Sequence, residues 1–305
     1  MWLLLAFLSA ALLGFYDVFK KKALQGNAVL PVLFLNTLFA SLIFLPFILF
    51  SSVTHSLDNT IFYVGSGNWE VHGFIFLKSL IVLSSWICGY FAMKHLPLTV
   101  VGPINATRPI MVLIGAMMVF SERLNLYQWI GVMLAITSFF LISRTGKKEG
   151  IDFKHNKWII LLILAALFGA VSGLYDKFLM ASQNDGGLGL NKMMVQSWFN
   201  IYQCVFMGIV LLVLWYPTHR NTTSFHWSWS IIGISLSLCI ADFVYFYALS
   251  LPSAMISIVS MVRRSSVLVS FTFGALIFHE KNLKGKTVDL ALVLLGMVFL
   301  YLGSK

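Results

Sequence analysis

Ten apolar runs, each long enough for a helix to cross a bilayer, leave little of this 305-residue chain for anything else. A span needs ~20 apolar residues. A ~19-residue hydropathy window places spans near 2–24, 29–50, 72–95, 98–120, 125–143, 157–181, 193–216, 229–250, 253–278 and 286–303. Only 10% of the residues are charged, against roughly 25% in soluble domains, too few to cover a water-facing surface. The expected fold class is an all-α membrane protein of ten transmembrane helices with no sizeable soluble domain.

The opening run, MWLLLAFLSAALLGF, resembles a signal-peptide core but has no basic segment before it, so it is read as a retained first helix. The cysteines Cys88, Cys204 and Cys239 lie in apolar runs and cannot form a closed paired set, which points away from a disulfide framework and from a metal site. One water-exposed stretch, 51–71, interrupts the first half, and the charged segment RTGKKEGIDFKHNK, 144–157, joins the halves.

The halves share residues in the same order. Gly14-Phe15-Tyr16-Asp17-Val18-Phe19 recurs as Gly173-Leu174-Tyr175-Asp176-Lys177-Phe178. Segment 89–108 aligns without gaps on 244–263, pairing Tyr90 with Tyr245, Pro97 with Pro252 and Arg108 with Arg263. Phe120-Ser121-Glu122-Arg123 matches Phe278-His279-Glu280-Lys281. The chain is therefore read as two five-helix units, 1–146 and 147–305. An odd number of helices per unit turns the second copy upside down, giving inverted repeats around a central cavity, the plan of many secondary transporters.

The net charge of +10 is a topology signal before it is a binding signal. Connections after the odd-numbered helices hold thirteen basic residues, among them Lys20, Lys21, Lys22, Lys94 and Lys286, against Arg123, Lys192 and Lys305 elsewhere. That bias puts the first set in the cytoplasm and both termini outside; with Lys20 to Lys22 read as the last turn of a helix instead, the count is ten against three and points the same way.

Asp17, Asp176, Asp242, Asp289, Lys78, Arg108, Arg263 and Arg264 fall inside the spans. Each costs ~2.5–3.5 kcal/mol at mid-membrane, so each must face the protein interior, water or the interface. Asp289 is expected at the interface and Lys78 to snorkel towards it. Arg108 and Arg263 hold matching places, with Asn105 and Ser260 three residues before them on the same faces. Their guanidinium groups either bind a substrate carboxylate or phosphate or pair with a helix-borne aspartate and hold the bundle together.

Asp17 and Asp176 are candidates for proton coupling, or hydrogen-bond partners of the bundle. Asp242 matches Ile87 in the first half, a departure from the repeat that marks it for substrate chemistry. Gln196, Asn200 and Gln203, at i, i+4 and i+7, either line an aqueous cavity or bond to neighbouring helices. Trp86, Tyr90, Tyr245 and Tyr247 sit at one depth, as packing or, for Trp86 and Tyr90, as a face on which a ligand stacks. Glu122 and Glu280 are read as caps. Gly102, Pro103 and Pro109 should loosen the fourth helix.

No G-x-x-x-x-G-K-[ST], H-E-x-x-H or G-x-S-x-G motif is present, so neither an enzyme nor a cofactor is expected, and transport would run on a gradient or passively. The two five-helix units, the run GFYDVFKKKAL, the segment LPLTVVGPINATRP and the positions of Glu122 and Glu280 together resemble the drug/metabolite transporter superfamily, specifically its EamA-type members. The resemblance implies a cavity lined by helices 1, 3, 4, 6, 8 and 9 and transport, often export, of amino acids, other metabolites or drugs by proton coupling or exchange. It also implies cytoplasmic termini, opposite to the charge count.

The functional expectation is an inner-membrane secondary transporter, monomeric or homodimeric, moving a small polar metabolite by alternating access, with no nucleic-acid partner. Arg108 and Arg263 would contact its anionic group and Asp242 its amine or a proton. Gln196, Asn200, Asn105, Trp86, Tyr90 and Tyr245 would line the path. A lipid-linked-sugar flippase of the same fold and a membrane-embedded enzyme are the alternatives.

Overall fold

The structure is a computed structural model of the chain that describes residues 2–54, 57–58, 60–108, 110–111, 125–147, 155–180, 187–250, 262–263, 265–279 and 283–303. Ten α-helices run through the described residues: α1 (Trp2–Leu24), α2 (Val29–Leu49), α3 (Trp69–His95), α4 (Leu98–Ala106), α5 (Leu126–Lys147), α6 (Lys157–Met180), α7 (Lys192–Val210), α8 (Ser230–Ser250), α9 (Ser266–Ile277) and α10 (Leu283–Gly303). Five described segments are long and apolar enough to cross a membrane: Val29–Thr54, Trp69–His95, Lys157–Asp176, Lys192–Arg220 and Leu283–Gly303. Of the spans expected over 98–120 and 253–278, α4 and α9 hold the described portions. Pro109, Glu122, Arg264 and Glu280 lie outside the described residues.

Local chemistry sets the helix ends. The Asn68 side-chain oxygen accepts the Val71 N–H at 3.0 Å and starts α3, and Asn191 does the same for Met194 at 2.9 Å in α7. Pro97 separates α3 from α4. Pro46 removes a donor from α2, and the helix continues as a π-helical turn over Phe50–Thr54. The water-exposed stretch expected over 51–71 is therefore shorter at both ends.

Several basic residues assigned to connections are helical. Lys20, Lys21 and Lys22 belong to α1, and Lys286 is fully buried in α10. The Lys21 amine donates to the Met93 and Leu96 carbonyls, at 2.8 and 2.5 Å, where a cation meets the negative end of α3. Lys20 and Lys286 thus report on the interior and drop out of the topology signal.

The extensive helix pairs have a regular pattern. α1 packs on α8 and α6 on α3; α2 packs on α8 and α7 on α3; α1 packs on α9 and α6 on α4. α2 with α7, α4 with α9 and α5 with α10 complete the set. Exchanging each helix for the one five places along maps these pairs onto one another, whereas the contacts of α4 with α10 and of α3 with α1 and α2 fall outside the set.

Serine hydroxyls close many of these interfaces onto backbone carbonyls. Ser9 donates to Ala241 and Ser85 to Ala165, each at 2.7 Å, across α1–α8 and α3–α6. Ser41 reaches Asn200 and Ser138 reaches Asp289, both at 2.8 Å. Lipid supplies no hydrophobic force between helices, so such bonds and close packing do the holding. Large apolar side chains such as Leu4, Leu42, Val213 and Phe140 point outward, and Trp69, Tyr216, Trp227 and Trp229 are exposed near helix ends, as in an interfacial aromatic belt.

Gly14 lets α1 meet α9: a Cβ there would lie 2.4 Å from Val269 Cβ and 2.9 Å from the Ser266 carbonyl oxygen. Gly14→Ala is expected to cost about 1–3 kcal/mol through overpacking, read as a lower Tm of purified protein. Gly73→Ala, where no atom lies within 4 Å of the new Cβ, should leave the Tm unchanged or raise it.

Candidate functional site

The charged residues at membrane depth gather into two groups. In the first, α1 carries Tyr16, Asp17 and Lys20 on adjacent turns, with the Lys20 amine 2.9 Å from the Asp17 carboxylate and 4.3 Å above the Tyr16 ring. From α3, the buried Tyr90 ring lies 5.2 Å from the same amine. Its hydroxyl approaches Tyr16 and Asp17 without an aligned hydrogen bond. Arg108, two residues beyond α4, is close enough to Asp17 and Tyr16 to interact with both.

Arg108 makes no hydrogen bond among the described residues, and its Nε is buried. Gly169 of α6 makes room for it, since a Cβ there would lie 2.8–3.0 Å from the guanidinium atoms. The Asn105 side-chain oxygen, one turn before Arg108, is also buried and unpartnered. The first group therefore holds two cations, one carboxylate and three polar atoms with no bond.

The second group contains the matching residues, and its charges are paired. Arg263 Nη2 binds the Asp242 carboxylate, and its guanidinium lies over the Tyr245 ring at 4.2 Å, although its Nε, like that of Arg108, is buried without a bond. Asp176 of α6 pairs with Lys78 of α3, whose amine also sits 5.0 Å from the Phe199 ring. Lys78 is buried and does not snorkel, because Asp176 from the other half supplies a counter-charge at depth. Asp289 is 1% exposed and not interfacial, because α10 packs on α5 at that level.

The Tyr90 face expected to receive a ligand lies near the Lys20 amine, and Tyr245, expected to line the path, is covered by Arg263. Trp86 packs edge-on against Phe199 at 6.3 Å. The amide stripe of α7 faces inward, with Gln196, Asn200 and Gln203 all buried. The Asn200 amide donates to the Gln196 carbonyl at 2.8 Å, while the Gln196 side-chain oxygen and both ends of Gln203 have no partner among the described residues.

A pocket of about 360 Å³ opens between the 57–63 connection, the start of α7 and the last turns of α8, lined by Asp58, Tyr63, Asn191, Lys192, Phe243 and Tyr247. Phe243 adjoins Asp242, which puts the pocket one residue from the second group. Lys20, Lys78 and the pocket residues Asp58 and Lys192 were not singled out as site residues from the sequence. For Lys78 the available signal was its position inside a span that also needs a counter-charge for an aspartate.

Breaking one ion pair tests the second group. The Asp242 and Arg263 side chains are 25% and 20% exposed, so screening trims the cost of stranding the arginine to about 2 kcal/mol, below that of a fully buried pair. Asp242→Asn should lower the Tm accordingly, and Asp242→Asn/Arg263→Gln should recover part of the loss.

Comparison with known proteins places this arrangement in a family. No curated protein matches the chain. A crystal structure of a protein 13% identical in sequence superposes with a TM-score of 0.60, covering 99% of this chain and 96% of that one, which shows a shared fold. The model of the EamA-like transporter family matches twice, over residues 1–144 and again over 156–302. The chain belongs to the EamA-like transporter family.

Proposed function

We propose that this protein is a ten-span secondary active transporter that exports or exchanges a small polar metabolite bearing an anionic group, such as an amino acid. Membership of a membrane transporter family supports a small-molecule substrate and a bilayer environment. The double family match, at 1–144 and 156–302, and the helix pairs that exchange under a shift of five helices support two inverted repeats. Alternating access then follows from rocking one repeat against the other. The remaining loop lysines favour cytoplasmic connections after the odd-numbered helices of an inner-membrane protein.

The observation that carries the substrate reading is Arg108. A partly exposed guanidinium whose buried Nε has no hydrogen bond among the described residues, sharing Asp17 with Lys20 and lying near the Tyr90 hydroxyl and Asn105 oxygen, which also lack one there, is a costly arrangement unless a further anion visits it. In this reading Arg108 takes the anionic end of the substrate, while Arg263 is held by Asp242 in the resting state. Gln196 and Asn200 contribute polar surface to the path. Asp176, 38% exposed at its side chain and paired with Lys78, is the better placed of the two coupling candidates, since protons can reach it. Asp17 is 19% exposed and bound to Lys20.

Uptake into proteoliposomes of amino acids, organic acids and cationic dyes, with and without a pH gradient, tests the reading. Flux of an anionic or zwitterionic solute is expected. Arg108→Gln should lower its kcat/KM at least about tenfold, the loss of a charge-assisted bond. Asp176→Asn should remove the dependence on the pH gradient while leaving exchange intact. No flux of any of these solutes would overturn the proposal.

A further inference from the structure

We propose that the first-half polar group is a binding site for a small monocarboxylate anion, and that Asp242 occupies the corresponding place in the second half as a built-in counter-anion. The inference rests on the repeat reading and on Arg108 as the anion contact, and it narrows the substrate from any metabolite with an anionic group, zwitterionic amino acids included, to one whose net charge is a single negative charge on a carboxylate.

The two halves supply nearly the same parts. Tyr16 and Asp17 match Tyr175 and Asp176, Tyr90 matches Tyr245, and Arg108 matches Arg263. Two positions of the groups differ in charge: Lys20 stands where the second half has Leu179, and Asp242 stands where the first half has Ile87. Asp242 lies three residues before Tyr245, on the same helical face, and it binds the arginine that covers that tyrosine. Ile87 lies three residues before Tyr90 in the same way, and it packs against the core cluster that contains Tyr16 and Tyr90. The first half thus keeps the arginine, the tyrosine and the surrounding scaffold but lacks the carboxylate.

Charge counting gives the ligand class. Asp176 is matched by Lys78 and Asp242 by Arg263, whereas Asp17 stands against both Lys20 and Arg108. Among the described residues the first group carries one positive charge in excess. A zwitterion would leave that excess in place and a dianionic phosphate would reverse it, but one carboxylate cancels it. The second half shows which anion such a cradle accepts, because its own arginine is met by a carboxylate from the chain. The unpartnered Tyr90 hydroxyl is a donor for the ligand's second oxygen, and Gly169 leaves space beside the guanidinium.

Thermal unfolding of the full-length purified protein tests this with sodium propionate, L-alanine and sodium phosphate as probes, at matched ionic strength against sodium chloride. Propionate should raise the Tm by a few degrees while alanine and phosphate do not, and the shift should vanish in both Arg108→Gln and Ile87→Asp. Ile87→Asp should also be tolerated better beside Arg108 than beside Gln at that position, with a difference of at least about 3 °C between the two backgrounds. Equal cost in both backgrounds, or stabilisation by alanine or phosphate but not propionate, overturns the proposal.

If Ile87→Asp does not fold in either background, Asp242→Ile decides. Freeing Arg263 should add a second propionate site in equilibrium dialysis, and unchanged stoichiometry overturns the inference. Flux of the same probes separates it from the transporter reading. Propionate binding that depends on Arg108, with no flux, sustains the site and sinks transport. Alanine flux indifferent to Arg108 and Ile87 sinks the site and keeps the transporter.

Discussion

A polar group in hydrocarbon has to find its partner inside the protein, and the arrangement of this bundle follows from that requirement. Helix association in lipid gains little from the hydrophobic effect, so the interfaces rely on close approach and on specific bonds. Gly14 allows α1 to touch α9, and the hydroxyls of Ser9, Ser41, Ser85 and Ser138 tie their helices to carbonyls across the seam. The same requirement places Lys78 against Asp176 and Arg263 against Asp242. Among the described residues it is not met at the Arg108 Nε, the Tyr90 hydroxyl and the α7 amides Gln196 and Gln203, and these are the groups on which the proposed site rests.

The contrast between the two halves gives that idea its direction. Duplicated parts start equal, and a functional site arises when one copy keeps a cradle that the other fills. In the second group Lys78, contributed by the first half, pairs with Asp176 and joins α3 to α6, and Arg263 pairs with Asp242 and joins α8 to the segment before α9. In the first half Lys20 and Arg108 share a single carboxylate. In the proposed reading Asp242 holds Arg263 within the bundle while Arg108 meets the substrate, which gives arginines that match in sequence different partners.

Much of the fold was legible because apolar length is a local property. The described residues form ten α-helices within the expected apolar runs, five of the described segments being long and apolar enough to cross a membrane, with departures at Phe50–Thr54 and Trp69 beside Pro46 and Asn68. Partners were much less legible. Lys20 read as a loop lysine because it opens the run Lys20-Lys21-Lys22, yet the α1 helix carries it back over Asp17 and Tyr16. Lys78 and Asp176 are 98 residues apart in sequence, and only the packing of α3 on α6 joins them. Asp289 looked interfacial by its distance from the helix end, but α5 covers it. Nothing in the sequence marked Gly169 as the residue beside Arg108. The difference between Ile87 and Asp242, by contrast, was visible from the start, and its meaning came from seeing that Asp242 holds Arg263.

The central claim is that Arg108 meets an anion from outside the protein while Arg263 stays with Asp242. It is tested most directly by solid-state NMR in lipid bilayers, measuring dipolar dephasing between ¹⁵N-guanidinium-labelled protein and [1-¹³C]propionate. The account predicts dephasing at direct contact, with nitrogen and oxygen about 2.8 Å apart, that disappears in Arg108→Gln and survives in Arg263→Gln. Dephasing that survives the loss of Arg108, or that depends on Arg263, would contradict it.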